Sequence, residues 1–259
     1  MSQWLFAHEG LERLAKLCSK RFLIAFDFDG TLAGLVDDPC KVQIPKSWRK
    51  SLESLVLRMP VAVISGRSVA DLNAKLGIPG CALVGNHGAQ TNTNETSSNN
   101  YDWIEALAPI REQIKSQRRT WELLGVIVED KDYSIALHYR TAHQKDTTQL
   151  ILDRMVRHYQ QAHESLRLPL LHVWKGHDVI NITSAYAPDK GDALLELQNR
   201  FNTVSALYVG DDTNDEPAFE KVSLGSLTIR IGEVKSAAQF YLHKQDEVGR
   251  LLTYLVKNV

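Results

Sequence analysis

Short apolar runs that end abruptly in polar residues recur along the chain and predict the strands of a parallel sheet. They occupy residues 22–26, 61–64, 82–84, 206–209 and 227–231. A continuous apolar run of this length is typical of a strand that is buried on both faces. Stretches with apolar residues at helical spacing lie between the runs, so the sequence predicts an α/β fold in which strands and helices alternate.

The rhythm changes between residues 104 and 186, where the order helix, strand, strand occurs twice. The predicted elements are a helix at 104–121, strands at 126–130 and 133–139, a helix at 147–163, and strands at 170–174 and 178–183. Two such units predict a four-stranded antiparallel sheet backed by two helices. Apolar and polar residues alternate along 133–139, so we expect one face of this sheet to be buried and the other to be polar.

A polar stretch without periodicity, at residues 91–100, indicates an exposed loop that leads into this insert. We therefore expect a discontinuous core made of residues 1–103 and 187–259. Residues 104–186 form the inserted domain.

Side chains suited to binding a metal ion or a phosphate follow the ends of the predicted parallel strands. They are Asp27 and Asp29, Ser65, Gly66 and Arg67, Asn86 and His87, and Asp211 and Asp212, with Lys190 at the start of a later helix. Carboxyl ends of parallel strands meet at one edge of a sheet, which is where open α/β sheets bind ligands. Carboxylates that meet there repel each other unless a cation lies among them, and Mg²⁺ binds carboxylate, phosphate and water oxygens. The sequence therefore predicts Mg²⁺ and a phosphorylated ligand.

These residue types are suited to phosphoryl transfer through a covalent intermediate. Asp27 would attack the phosphorus atom, and Asp29 would protonate the leaving alcohol and then activate water. Ser65, Lys190 and the metal would hold the phosphate oxygens. Structural interpretations stay open: the two aspartates alone are compatible with an acidic turn, and Arg67 suits either a substrate contact or an ion pair that holds the following helix.

Four motifs, taken in order, resemble those of the haloacid dehalogenase superfamily phosphatases. They are Asp27-Phe28-Asp29-Gly30-Thr31, Ser65-Gly66-Arg67, Lys190-Gly191 and Gly210-Asp211-Asp212. The resemblance spans nearly the whole chain and implies a Rossmann-like core with an α/β cap inserted between the second and third motifs. It also implies that Asp27, Asp29, Asp211 and Asp212 bind the metal, with Asp29 contributing its backbone carbonyl.

Within that superfamily the chain is most similar to the trehalose-6-phosphate phosphatases. The matching segments are Gly85-Asn86-His87-Gly88-Ala89, Glu129-Asp130-Lys131, His138-Tyr139-Arg140 and Pro188-Asp189-Lys190-Gly191. The resemblance implies that Glu129 and Lys131 contact sugar hydroxyls. By the same match Asn86, His87 and Arg140 are expected to bind substrate, although a lone strand histidine is more often structural.

Two positions depart from the pattern of that family. Asn181 stands where the family usually has Glu, and Asn214 stands where its acidic motif usually has Thr. Asn181 is still expected to bind a sugar hydroxyl, but a neutral amide is a weaker acceptor than a carboxylate, by about 1 to 2 kcal/mol for a hydrogen bond. The identity of the sugar therefore depends on this position more than the reaction does.

The leading hypothesis is a Mg²⁺-dependent phosphatase of a phosphorylated disaccharide, trehalose 6-phosphate, acting through an aspartyl-phosphate. One alternative keeps the chemistry and changes the substrate to sucrose 6-phosphate, a glycosyl-phosphoglycerate or a monosaccharide phosphate. Another alternative is a phosphosugar-binding protein without turnover. A paired nucleophile and acid argues against it, because a protein that only binds its ligand has no use for them.

Global composition limits the other partners. The net charge is −1, so no strongly basic surface is expected for nucleic acid or an anionic membrane. The sequence predicts a cytoplasmic monomer or weak oligomer without a leader or a membrane span. Cys18, Cys40 and Cys81 are too widely spaced to indicate a disulfide framework or a zinc site.

Overall fold

The computed structural model describes residues 2–34, 36, 41–92, 104–131, 133–168, 170–176 and 178–259. The chain forms two compact units, one of Met1–Glu95 with Pro188–Val259 and one of Thr96–Ala187. Their two separate sheets confirm the predicted fold class, whereas the sequence-based ends of the inserted domain stay a prediction. Cys40 and most of the loop expected at 91–100 lie outside the described residues.

Each unit is built on one sheet. The strands of the first unit are β1 (Gln3–Trp4), β2 (Leu23–Phe26), β3 (Val61–Ile64), β4 (Ala82–Gly85), β5 (Gln90–Thr91), β10 (Ala206–Gly210), β11 (Leu227–Ile231) and β12 (Phe240–Leu242). The strands of the second unit are β6 (Ile127–Asp130), β7 (Ile135–His138), β8 (Leu171–Gly176) and β9 (Val179–Ser184). The first sheet has the order β1-β12-β11-β10-β2-β3-β4-β5 and is parallel except where β4 meets β5.

The helices of the first unit cover both faces of this sheet. They are α1 (His8–Cys18), α2 (Lys46–Val56), α3 (Val69–Leu76), α7 (Lys190–Arg200), α8 (Glu216–Glu220) and α9 (Glu247–Asn258). The helices of the second unit are α4 (Ala108–Ser116), α5 (Arg118–Leu124) and α6 (Lys145–Ser165). Ile24 and Phe26 of β2 pack in one apolar cluster with α1, α2, α3 and α9. Leu23 and Ala25 pack in another cluster with α7 and α8. Burial on both faces explains why these strands lack alternating polar residues.

Strand β2 lies between β10 and β3. All four of its residues are apolar and buried. The chain continues from β2 to β3 and β4 on one side, and later enters β10 on the other side. The carboxyl ends of β2 and β10 therefore form a topological switch point, the position at which open α/β sheets bind ligands.

The second unit has the antiparallel sheet order β6-β7-β9-β8, as the two αββ units predict. Ile135 and Leu137 of β7 are buried in its apolar cluster. Ser134 and Ala136, which project from the opposite face, are buried too. The face that was expected to be polar is therefore not exposed to solvent at these two positions.

The prediction of a single helix at 104–121 is wrong, because the segment forms two helices: α4 ends at Ser116 and α5 begins at Arg118. The indole Nε1 of Trp121 donates a hydrogen bond of 2.8 Å to the carbonyl oxygen of Ile114. The same carbonyl oxygen accepts from the backbone N–H of Gln117 at 3.2 Å, so it has two donors at the end of α4.

Cys18 and Cys81 are free thiols, as expected. Burial raises the pKa of Cys18 to about 11 and that of Cys81 to about 12, so both thiols are inert at neutral pH. Among the described helices, none combines the length and the apolar composition that a bilayer crossing requires.

Candidate active site

A buried lysine joins the first and last acidic motifs at the switch point. Lys190 begins α7 and is 1% exposed. Its Nζ donates hydrogen bonds of 2.8 Å to Oδ1 of Asp27 and 2.7 Å to Oδ1 of Asp215. Burial would lower the pKa of Lys190, but the carboxylates of Asp215 and Asp27 outweigh it and raise that pKa above its ordinary value. Lys190 is therefore a permanent cation beside Asp27.

Burial raises the pKa of Asp27 well above its usual range, and Lys190 opposes that shift, while Asp215 and Asp211 add to it. Asp27 is 5% exposed and follows β2, its backbone N–H donating 2.8 Å to the carbonyl oxygen of Val209 in β10. The sheet register thus fixes the position of this carboxylate directly beside the end of β10.

Asp211 reaches the same place from β10. Thr31 Oγ1 donates to its Oδ1 at 3.1 Å. A side chain at Gly30 would place its Cβ 2.0 Å from Oδ2 of Asp211, and Gly30 has a φ of +78°. Only glycine permits both that backbone conformation and the close approach. Burial, with a further contribution from the charge of Asp215, raises the pKa of Asp211 to about 7.

Asp27, Asp211 and Asp215 form an acidic cluster in which one carboxylate oxygen of each lies within 4.8 Å of the others. Hard oxygen donors of this kind suit a divalent cation such as Mg²⁺ or Ca²⁺. The raised pKa values of Asp27 and Asp211 reflect burial and mutual repulsion, which a bound cation would relieve. The donor set therefore fits a divalent metal.

Asp215 is the acidic residue that the sequence-based set omits. It is fully buried, and its Oδ2 accepts from the backbone N–H groups of Asp211 at 2.9 Å and Asp212 at 3.0 Å. Its Oδ1 accepts from Lys190 and, at 2.7 Å, from the hydroxyl of Tyr208. With four donors on two oxygens, Asp215 acts chiefly to hold the other groups in place.

Asp212, predicted as a metal ligand, lies outside the three-carboxylate cluster. Its Oδ1 accepts a 2.7 Å hydrogen bond from the backbone N–H of Thr213 and caps the short 3₁₀ helix Thr213–Asp215. That helix turns the chain back, so that Asp215 rather than Asp212 accompanies Asp27 and Asp211. The signal available in the sequence was the spacing, since a residue three positions after an N-cap can fold back onto the cap.

Asp29 also stands apart from the cluster, because Arg67 holds its carboxylate. Arg67 Nε and Nη2 donate to the two oxygens of Asp29 at 2.6 and 2.7 Å, and Nη1 donates to Asp71 of α3 at 2.6 Å. Of the two interpretations open for Arg67, the structure shows the ion pair. This ion pair joins the second motif to the first and anchors α3.

Ser65, Gly66, Asn86 and His87 come together as predicted from the strand ends. The backbone N–H groups of His87 and Asn86 donate to the carbonyl oxygens of Ser65 and Arg67, both at 2.9 Å. A Cβ at Gly66 would lie 2.5 Å from Cε1 of His87, so any other residue there would displace the His87 ring. Asn86 and His87 have φ values of +50° and +59°. Such backbone costs about 1 to 3 kcal/mol per residue and clusters at functional sites.

The second unit places Glu129 and Lys131 side by side on and after β6. Glu129 Oε2 lies 2.9 Å from Nε2 of His138 and 3.3 Å from Nζ of Lys131. The hydrogen bond from His138 and the charge of Lys131 outweigh burial and lower the pKa of Glu129 to about 2. Arg140 follows β7 and is exposed, whereas Asn181 in β9 is 8% exposed.

Solved structures share this fold over nearly the whole chain. The C-terminal domain of Candida albicans trehalose-6-phosphate phosphatase superposes with a TM-score of 0.81, covering 100% of this chain and 99% of that chain at 19% identity. Aspergillus fumigatus trehalose-6-phosphate phosphatase gives a TM-score of 0.68, covering 100% of both chains at 21% identity.

A buried lysine beside carboxylates at the switch point of a parallel sheet, together with an inserted four-stranded antiparallel sheet, defines a phosphatase of the haloacid dehalogenase superfamily. The family model described as trehalose-phosphatase matches residues 25–245. The chain therefore belongs to the trehalose-phosphatase family. The resemblance inferred from the motifs is confirmed.

Curated relatives agree with that assignment. The trehalose-phosphate phosphatase of Mycobacterium tuberculosis is 30% identical over 271 residues, covering 100% of this chain and 67% of the relative. That of Mycobacterium marinum is 31% identical over 271 residues, covering 98% of this chain and 67% of the relative. The chain thus spans about two thirds of the length of these relatives.

Proposed function

We propose that the protein hydrolyses trehalose 6-phosphate to trehalose and phosphate in a Mg²⁺-dependent reaction. The observation that carries this proposal is the 2.8 Å hydrogen bond between the permanently charged Lys190 and Asp27, beside Asp211 at the switch point. The position suits a phosphate, because ligands of open α/β sheets bind there. Membership of the trehalose-phosphatase family supports the choice of substrate.

Asp27 is the proposed nucleophile. Its carboxylate forms a bond to phosphorus as the bond between phosphorus and the sugar 6-oxygen breaks, giving an aspartyl-phosphate. Lys190 and the Ser65 hydroxyl bind the phosphate oxygens, and Gly66, which follows Ser65, is proposed to contribute to the same site. The positive charge of Lys190 opposes the rise in the pKa of Asp27 and so favours its ionised form, which is the form that can attack.

Asp27 and Asp211, with the backbone carbonyl of Asp29, would hold Mg²⁺. Asp215 would orient them, because its carboxylate accepts hydrogen bonds from Lys190 and from the backbone N–H of Asp211. Bound Mg²⁺ supplies positive charge that neutralises the phosphate oxygens as charge shifts between them. A direct contact from Asp212 stays a weaker proposal, since its carboxylate caps the 3₁₀ helix.

Asp29 is the proposed acid and base. It gives its proton to the leaving sugar oxygen, and then takes a proton from the water whose oxygen attacks phosphorus and releases Asp27. Arg67 holds the ionised Asp29 carboxylate in one orientation through both oxygens, and for the acid step one of these hydrogen bonds must open so that the freed oxygen carries the proton. Arg67 is therefore proposed as a positioning residue, although the sequence also assigned it to substrate binding.

Sugar binding is proposed for Glu129, Lys131, Arg140 and Asn181 of the second unit. Glu129 is ionised through the neutral range and so offers a charged acceptor for hydroxyl groups.

Asn86 and His87 of the first unit are also proposed to bind substrate. Within the described part of the chain, Oδ1 of Asn86 is buried without a hydrogen-bond partner. A hydrogen-bond donor on the ligand would give this oxygen a partner, and native structures seldom leave a buried polar atom without one.

A phosphate-release assay tests the proposal. Wild type with Mg²⁺ should release phosphate from trehalose 6-phosphate, and EDTA should abolish the activity until Mg²⁺ is restored. Asp27→Asn should be inactive. Turnover by this variant at the wild-type rate, or by wild type without any divalent metal, would show the mechanism to be wrong.

Asn181 favours a second candidate, the same reaction on another sugar phosphate. The assay therefore includes sucrose 6-phosphate and glucose 6-phosphate, with wild type and Asn181→Glu compared on each. A strong preference of wild type for trehalose 6-phosphate eliminates this candidate.

We further propose a cytoplasmic location, because charged sugar phosphates do not cross bilayers unaided. A net charge of −1 supports a small-molecule substrate rather than nucleic acid. Cell fractionation tests the location, and size-exclusion chromatography tests the expected monomer or weak oligomer.

A further inference from the structure

Four residues from four strands form a row across the sheet of the second unit. Glu129 of β6 is paired with Ala136 of β7, Ala136 with Asn181 of β9, and Asn181 with Trp174 of β8. Directly paired residues of antiparallel strands project from the same face of a sheet. The row therefore carries a carboxylate, a methyl group, an amide and an indole in that order.

The two faces of this sheet differ in what covers them. Residues adjacent to the row, among them Leu137, Ile180 and Val173, project from the other face and pack in the apolar cluster. The face that carries the row has no such apolar set among the described residues, and Asn181 on it is 8% exposed. Ser134, two positions before Ala136, is 1% exposed, and its Oγ has no hydrogen-bond partner within the described part of the chain.

A buried hydroxyl without a partner costs free energy, and in native proteins such a group has a specific cause, such as a functional role or a bound water or ion. Trp174 lies at the end of the row and contacts His172, with ring centroids 5.3 Å apart and an interplanar angle of 53°. An aromatic side wall beside a few convergent polar groups is the composition of a small-molecule site.

We propose that Trp174 is a specificity-determining residue whose indole packs against the apolar C–H face of the sugar, while Asn181 and Ser134 bind its hydroxyls. A pyranose has both kinds of surface, apolar C–H faces and a rim of hydroxyls, and the row offers both in one line. This inference rests on the proposed function, because it concerns the sugar of the same substrate.

The arrangement also explains how an amide can stand at position 181. A neutral amide binds hydroxyls less strongly than the carboxylate usual in the family. Packing on an aromatic ring directly beside it supplies apolar contact that does not depend on charge. Trp174 thus compensates for Asn181, and the pair should discriminate between sugars by shape.

The test compares Trp174→Ala and Trp174→Phe with wild type, using trehalose 6-phosphate and p-nitrophenyl phosphate, which has no sugar. Trp174→Ala should raise KM for the sugar phosphate about tenfold or more, the size expected when apolar contact is lost from a pocket. Its kcat/KM for p-nitrophenyl phosphate should stay within about twofold of wild type. Trp174→Phe, which keeps an aromatic ring, should recover much of the loss.

Lys175→Ala is the matched control, because Lys175 is the next residue of β8, projects from the opposite face and pairs with Asp153. It should leave KM for both substrates unchanged. Thermal unfolding of each variant identifies any loss of fold, and the Phe variant remains informative if the Ala variant does not fold.

The outcomes separate this inference from the function on which it rests. Wild-type KM for trehalose 6-phosphate in both Trp174 variants overturns the role of Trp174 and leaves the proposed function intact. If wild type hydrolyses p-nitrophenyl phosphate but none of the sugar phosphates, both are overturned. An equal loss on both substrates shows a structural role only and also overturns the inference.

Discussion

Arg67 binds both carboxylate oxygens of Asp29, with Nε 2.6 Å from Oδ2 and Nη2 2.7 Å from Oδ1. A guanidinium matches a carboxylate in this bidentate way because its donors are fixed in a plane. The third donor, Nη1, binds Asp71 of α3 at 2.6 Å. The orientation of the proposed acid and base is thus set by Arg67, which follows a different strand of the sheet and also contacts the next helix.

Removal of Arg67 should therefore lower kcat rather than raise KM. Arg67→Ala leaves the Asp29 carboxylate without the two donors that orient it, and a misplaced catalytic group costs about 100-fold. Arg67→Lys should recover little, since an ammonium cannot bind both oxygens in the plane. Steady-state kinetics on trehalose 6-phosphate measures both constants.

Asp71→Asn is the control for Arg67, because it weakens the contact to α3 and leaves the two bonds to Asp29. Its kcat should stay near that of wild type. A result in which Arg67→Ala raises KM and leaves kcat unchanged would contradict the positioning role and favour a direct substrate contact.

Gly30→Ala should damage the acidic cluster. The new Cβ would lie 2.0 Å from Oδ2 of Asp211, and a φ of +78° is unfavourable for alanine. We expect a loss of more than about 1 kcal/mol in the free energy of unfolding. Activity should fall as well, since Asp211 must move. Urea unfolding and phosphate release measure the two effects.

Gly232→Ala separates strain from the clash. Gly232 also has a positive φ, +92°, but a Cβ there meets nothing within 4 Å. This variant should lose about 1 kcal/mol of stability from its backbone alone and keep full activity. If Gly30→Ala proves as active as Gly232→Ala, the contact between Gly30 and Asp211 has no catalytic importance.

The pair of Glu129 and His138 should make stability depend on pH in the acid range. The pKa of Glu129 is lowered from 4.5 to about 2, so its contribution is complete above pH 4.5 and is lost as pH falls through 2. The side chain is half exposed, and solvent screening limits the effect to no more than about 1 kcal/mol. Urea unfolding at intervals from pH 5 to pH 2 measures it.

Glu129→Gln is the matching variant, because the amide keeps the shape and cannot titrate. Its stability should fall less steeply than that of wild type over the same pH interval. Identical slopes for the two proteins would mean that the contact with His138 contributes nothing to folding.

The strands β2, β3, β4, β10 and β11 of the first unit could be predicted because their residues are apolar on both faces, whereas the short strands β1, β5 and β12 were missed. Leu23 and Ala25 pack on one side of β2, while Ile24 and Phe26 pack on the other. That requirement leaves an unbroken apolar run, and the polar residues that follow it must lie at the sheet edge. Asp27, Ser65 and Asp211 were found in this way.

Other features depended on contacts between segments far apart in the chain. The local sequence does not distinguish the roles of Asp211, Asp212 and Asp215. A short 3₁₀ helix, Thr213–Asp215, brings the Asp215 carboxylate to Lys190. The pattern around Tyr208 indicates only a core residue of β10, yet its hydroxyl reaches Asp215. The break between α4 and α5 lies where the indole of Trp121, seven residues further along the chain, donates to the carbonyl oxygen of Ile114.

By itself, then, the sequence determined the α/β fold, the inserted antiparallel sheet and the residue types of a phosphate site, because burial and strand order follow from local pattern. The tertiary structure alone decided which partner each charged group has: Arg67 with Asp29, Lys190 with Asp27 and Asp215, and Trp174 in line with Asn181. Such pairings depend on distances of a few ångströms across strands, and hydrophobic periodicity carries no information about them.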